Sequence, residues 1–136
     1  MQINFSKQEG RMPVTIMQLI GNVDASNYTD VIAKAQDAYN EGTRDLLIDM
    51  SQVPYISSAG LMSLHAIVLI FAGKSVQSKE SSRPSFRSVD PQRDSAGFQH
   101  MKLLSPQMAV EQILDVVGLK QFFEIHNDLE KAVQSF

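Results

Sequence analysis

Ser57 and Ser58 stand between an apolar stretch and the start of a helical pattern, in the run Val53 to Met62 that reads VPYISSAGLM. A hydroxyl at such a junction has two chemistries open to it. It can accept a bond from the free N–H groups of the helix's first turn. It can also carry a phosphoryl group, because the same N–H groups and the positive helix end favour an anion there. Nucleophilic catalysis fits poorly. A nucleophile elbow needs G-x-S-x-G, and Ser58 has Gly60 after it but Ile56 where the first glycine belongs. The histidines, His65, His100 and His126, offer no Ser-His-Asp order.

Other motifs dissolve in the same way. Gly73 to Ser75 reads GKS, the end of a phosphate loop, but Val68 occupies the position of the required first glycine and the triplet follows a helix instead of a strand. His65 has Leu69 four residues on, so no second metal ligand shares its helix face. No metal or cofactor is expected. The methionines, Met50 and Met62 among them, read as core filling, with Met62 also suited to an adaptable interface.

The elements that must hold the serines follow from periodicity. QINFS and VTIMQLIGNV read as two strands joined through Gly10 and Pro13, a hairpin. From Ala25 to Glu41, the residues Tyr28, Val31, Ile32, Ala35 and Tyr39 recur at spacings of three and four and predict a helix, with Asp24 placed to cap it and Gly42 past its end. RDLLIDM is a short strand whose continuous Leu46, Leu47 and Ile48 suit a sheet covered on both faces. A second, nearly all-apolar helix runs from about Gly60. MKLLS is a strand. Ser105 and Pro106 then open a helix ending at Gly118, FFEI is a last strand, and a capping box from Asn127 to Glu130 opens the last helix.

Between the second helix and MKLLS lies a different composition. Ser75 to Phe98 holds seven serines, two prolines, four basic and three acidic residues, with scattered apolar side chains, and reads as a flexible insert with the character of a linker. The order β β α β α (insert) β α β α is that of a single α/β domain spanning residues 1–136, a length that suits one core.

Composition narrows the partners. The net charge of -3 has the wrong sign for a protein that coats nucleic acid. The longest apolar run, AIVLIFAG, falls far short of the roughly 20 residues that span a bilayer, so no membrane contact is expected. The absence of cysteine suits a reducing compartment, and the expected location is cytoplasmic. A protein partner or a small ligand remains.

Two segments in combination resemble the STAS domain, the fold of bacterial anti-sigma factor antagonists. In that family one strand ends in a G-x-[LV]-D turn, here Gly21, Asn22, Val23 and Asp24. A later strand ends in D-x-[ST]-x-[VL]-x-[FY]-[IM]-[DS]-S-x-G-L, here Asp49 through Leu61. SPQMAVEQILDVVGLKQFFEIHNDLEKAV is similar to the family's closing helix, strand and helix, so the resemblance leaves out only the insert.

The resemblance implies a mixed four- to five-stranded sheet with helices packed on one side. It places a kinase-accepting serine at Ser58, sets Ser57 where an aspartate is frequent, and puts Ala59 in place of a second Ser or Thr. The implied function is partner switching. Unphosphorylated, the surface of Asn22, Asp24, Ser57, Ser58, Ala59, Gly60, Leu61 and Met62 binds an anti-sigma factor that is also a serine kinase, freeing a sigma factor. Phosphorylation of Ser58 ends the binding, and a serine phosphatase restores it. The chain is then a monomer or weak homodimer and not an enzyme. The alternative within the family is a STAS scaffold or accessory subunit of a lipid-transport or stressosome-like assembly, in which Ser58 is only a cap. Replacing Ser75 to Phe98 by a short linker is expected to leave folding intact, whereas a large drop in melting temperature would make the insert part of the core.

Overall fold

A computed structural model describes residues 1–72 and 99–136. The reading of Ser75 to Phe98 as a flexible insert lies outside these residues. Five strands form one sheet in the order β1-β2-β3-β4-β5: β1 Gln2–Glu9, β2 Pro13–Ile20, β3 Leu46–Gln52, β4 Met101–Leu104 and β5 Ile125–His126. β1 pairs antiparallel with β2, and the remaining neighbours pair parallel, so the sheet is mixed. Four described helices connect them: α1 Tyr28–Asn40, α2 Ser58–Phe71, α3 Met108–Val116 and α4 Leu129–Gln134. This is the expected element order.

Alternation along the strands decides where the core sits. Met17 and Leu19 of β2, Leu46, Ile48 and Met50 of β3, and Met101 and Leu103 of β4 share one face and are buried there with Val31 and Ala35 of α1, Leu64 and Ile67 of α2, and Val110 and Leu114 of α3. The residues between them, Val14, Ile16, Leu47 and Leu104, point the other way and are also buried, against Ala132 and Val133 of α4. The helices therefore do not all pack on one side. The second face is apolar at its centre, and leaving it in water would forgo about 25 cal/mol for each Å² of apolar surface. α4 covers it.

On that second face Lys102 is 4% exposed. A buried ammonium is costly unless its donors are satisfied. Here Nζ donates to the Ser135 carbonyl at 2.8 Å and to Ser135 Oγ at 3.0 Å, pairs with Glu124 Oε2 at 2.8 Å, and lies 4.6 Å from the centre of the Phe136 ring. Lys102 thus ties β4 to the segment before β5 and to the residues that follow α4.

Four local expectations shift. Helix α1 begins at Tyr28, with Asp24 shaping the turn before it instead of capping it. Helix α3 begins at Met108 with Gln107 at its cap, so Ser105 and Pro106 precede it. Ser105 adopts φ 50, a left-handed conformation that costs an ordinary residue energy, and donates its N–H to the His126 carbonyl at 2.7 Å, a bond that holds it to β5. The last strand is Ile125–His126, later than FFEI, since Phe122 and Phe123 belong to the turn that follows Leu119. The last cap is Asp128, whose carboxylate accepts from Lys131 N at 3.2 Å, one residue beyond Asn127. Gly42 and Gly118 do follow their helices, both in the left-handed region.

Burial raises the Glu124 carboxyl, but the bonded Lys102 ammonium and then His126 more than offset it, and the net shift is below its usual 4.5. A carboxyl lowered by folding contributes stability that is complete above the unfolded value and lost as pH falls through the folded one. Melting temperature is therefore expected to drop as pH falls below about 4.5. Glu124→Gln should flatten that part of the profile and lower stability at neutral pH; an unchanged acid limb would show that the pair contributes nothing.

Candidate functional site

Because β2, β3, β4 and β5 run parallel, the segments leaving their C-terminal ends gather at one end of the sheet, where open α/β sheets commonly bind. Gly21 to Asp24 leaves β2, Val53 to Ser57 leaves β3, and Ser105 to Gln107 leaves β4. Two of these loops are joined by backbone. Gly21 N donates to the Gln52 carbonyl at 2.9 Å, Val23 N to the Tyr55 carbonyl at 3.1 Å and Ser57 N to the Val23 carbonyl at 2.9 Å, so Val23 and Ile56 form a parallel bridge beyond the ends of their strands. The third is tied in through Gln107 Nε2, which donates to the Ser51 carbonyl at 3.0 Å.

The Asp24 turn is held by its own polar side chains. Asp24 Oδ1 accepts from Ser26 N at 2.9 Å and from the Ser26 hydroxyl, Asp24 N donates to Asn27 Oδ1 at 2.9 Å, and Asn27 Nδ2 donates to the Asn22 carbonyl at 2.8 Å. The Ser26 hydroxyl, followed by its N–H, keeps the Asp24 carboxyl below the usual aspartate range, so the site carries a fixed negative charge at neutral pH. Sequence reasoning missed Ser26 and Asn27. The signal was present in the short-range Asp-x-Ser-Asn pattern, which favours side-chain-to-backbone turns.

The two serines separate in role. Ser57 is extended, with φ -87 and ψ 176, and its Oγ accepts from Gly60 N at 3.2 Å, so Ser57 is the cap of α2. Ser58 is the first helical residue, its side chain is exposed, and no hydrogen bond engages its hydroxyl among the described residues. Beside it Asn22 is exposed, Asp24, Ala59 and Met62 are half-buried, and Tyr55 is exposed. Gly60 and Leu61 are buried, so they shape the site from beneath.

Gly60 has a specific reason to be glycine. A Cβ there would lie 2.5 Å from Ile56 Cγ1 and 2.6 Å from the Val23 carbonyl oxygen. The bare backbone lets the first turn of α2 press against the bridge between the two loops.

A sequence model of the STAS domain family matches residues 5–77, a little over half of the 136. The chain belongs to the STAS domain family. No curated protein matches the sequence significantly. Among solved structures, the chain is similar to a candidate anti-sigma factor antagonist of Thermotoga maritima, at 16% identity and TM-score 0.70 over 97% of this chain and 92% of that one. An anti-sigma factor antagonist of Mycobacterium paratuberculosis gives 16% identity and TM-score 0.64 over 98% and 93%. The antagonist SpoIIAA in its unphosphorylated form gives 14% identity and TM-score 0.54 over 96% and 94%. At these identities the likeness is one of fold: this is a STAS fold like that of SpoIIAA.

The far end of the sheet also carries a cavity, of about 600 Å³, lined by Asp45, His100, Lys102, Glu124 and Ser135 among others. Its polar side chains are engaged with one another, His100 Nδ1 lying 2.7 Å from Asp45 Oδ1 and Lys102 being bonded as described. Among the described residues no cluster of acidic or histidine side chains could hold a metal, and no helix is long and apolar enough to cross a membrane.

Three substitutions test this geometry. Alanine in place of glycine inside an unobstructed helix gains about 1 kcal/mol, but overpacking against a fixed carbonyl costs about 1–3 kcal/mol. Gly60→Ala is therefore expected to destabilise in chemical denaturation, and a gain in stability would refute the close packing. Ser57→Ala should cost about 1 kcal/mol as a lost cap, while Ser58→Ala should stay within about 0.5 kcal/mol.

Proposed function

We propose that this STAS domain is an anti-sigma factor antagonist that acts by binding and not by catalysis. In its unphosphorylated form the surface of the Asn22 to Asp24 turn and the start of α2, from Ser57 to Met62, binds an anti-sigma factor that is also a serine kinase. Phosphorylation of Ser58 ends the binding, and a serine phosphatase reverses it.

The observation that carries the reading is the division of labour between the serines. Ser57 takes the structural task by capping α2, which leaves the Ser58 side chain exposed and, among the described residues, its hydroxyl without a hydrogen bond at the first helical position. A phosphate on Ser58 would sit where the first-turn N–H groups and the helix dipole favour negative charge, so the fold could carry it without rearrangement. The solved structures with which this chain shares its fold include SpoIIAA in both its unphosphorylated and phosphorylated forms, which supports the same use of the fold here.

The energy is sufficient for a switch. Phosphorylation adds about -1.5 to -2 charges at neutral pH. Against one acidic partner group about 4 Å away at an effective dielectric near 20, each unit costs roughly 4 kcal/mol, close to three decades in affinity. The half-buried Asp24 turn and the packed α2 need not move.

The test is incubation of the chain with ATP and an anti-sigma serine kinase from the same organism, followed by mapping of the phosphate. One phosphate on Ser58, absent from Ser58→Ala, is expected. Ser58→Asp should fold normally and lose kinase binding by at least tenfold. Phosphate on other residues alone, or full binding by Ser58→Asp, would defeat the proposal and favour a scaffold in which Ser58 plays no part.

A further inference from the structure

The backbone of β1 has an open side. Thr15 N donates to the Asp45 carbonyl of the segment leading into β3 at 3.0 Å, so the N–H and C=O of Thr15 point away from β1, and the pair Lys7↔Thr15 is of the type without direct hydrogen bonds. The pattern alternates along the strand. Gln2, Asn4, Ser6 and Gln8 bond to β2, while Ile3, Phe5, Lys7 and Glu9 direct their N–H and C=O groups to the outer edge.

Nothing described blocks that edge. β1 ends the sheet order, every residue of it but Ile3 is exposed, Phe5 is 43% exposed, and it contains neither a proline nor a bulge against β2. Eight residues is long for an edge whose charged side chains are Lys7 and Glu9 alone. We propose that β1 is a dimerisation edge, pairing antiparallel with β1 of a second copy to make one continuous ten-stranded sheet.

The occupant follows from the two ends of the sheet. The opposite edge, β5, has only two residues, too short to receive an eight-residue strand, so copies cannot add head to tail. The complementary edge is another β1, and pairing about a two-fold axis closes at two chains.

Charge selects the register. An axis through Lys7 would set like charges against each other. An axis at Ser6 pairs Ile3 with Glu9 and Phe5 with Lys7 of the second copy, each pair occurring twice, and uses every outward-facing position between Ile3 and Glu9. Four such pairs at two bonds each give about eight hydrogen bonds. Lys7 can then lay its aliphatic stem and ammonium against the exposed Phe5 ring of the other chain.

The experiment is light scattering with size-exclusion chromatography on the chain without an N-terminal extension, at about 1 μM and about 100 μM, values that bracket a micromolar Kd of the usual transient kind. The mass is expected to rise toward twice 15.1 kDa at the higher concentration. Phe5→Pro removes an outward N–H and leaves the β2 ladder intact, and it should hold the chain at one copy with unchanged circular dichroism. Phe5→Glu should do the same, while Ser6→Pro should damage the fold itself. Amide exchange adds a reading that needs no variant: the N–H groups of Ile3, Phe5, Lys7 and Glu9 should gain protection only at high concentration. A single-chain mass throughout, folded Phe5 variants that still dimerise, or edge amides that exchange equally at both concentrations would each overturn the proposal.

Discussion

The rest of the site hangs on one close approach, that of Gly60 to the carbonyl of Val23. The oxygen that would meet a Cβ at 2.6 Å is the same oxygen that accepts the Ser57 N–H. Moving it would break the bond that joins the β2 exit to the β3 exit, and that bond also sets where α2 starts. The start of α2 in turn fixes which serine caps and which is free. A single missing methyl group thus governs the relation between Asp24, Ser57 and Ser58, of which Ser57 bonds Gly60 directly through its cap.

Away from the site, the sheet solves a different problem. A parallel strand with apolar residues on both faces must be covered twice. One cover is the layer of α1, α2 and α3, and the other is the short α4, a helix too brief to be stable by itself. Lys102 compensates by bonding the backbone just past that helix, so a charge inside the protein serves as an anchor for the second layer. Its pairing with Glu124 links this anchor to the approach into β5.

Element order was legible because the signals were strong: the 3.6-residue period of α1, the continuous Leu46 to Ile48, the glycines after α1 and α3. Element starts were not. Asp24, Ser105 and Asn127 all have good capping chemistry, yet each lies before the true cap: Asp24 is taken up in a turn with Ser26 and Asn27, Ser105 is bonded to His126 of the sheet, and at the last helix the carboxylate of the next residue, Asp128, makes the bond. The covering of both sheet faces is written in the continuous Leu46 to Ile48, whereas the resemblance to the family implies helices on one side alone. At the site, the motif aligned Ser58 correctly to the first turn of α2, but assigning the cap to Ser57 needed φ, ψ and the bond to Gly60. The Ser26 and Asn27 braces stayed hidden since their partners are backbone groups of neighbouring residues.

Ser58 lies at the beginning of a helix, with Leu61 N already bonded to the Ser57 carbonyl in the following turn. Under the proposed function, a kinase acting on it would meet a folded surface and not an extended strand of peptide. The letters from Val53 to Met62 would then be a poor substrate when cut out of the protein, because the cap, the bridge and the Asp24 turn would be lost together. Recognition of this serine would be a readout of the folded state, so that only intact copies of the chain could enter or leave the regulated pool.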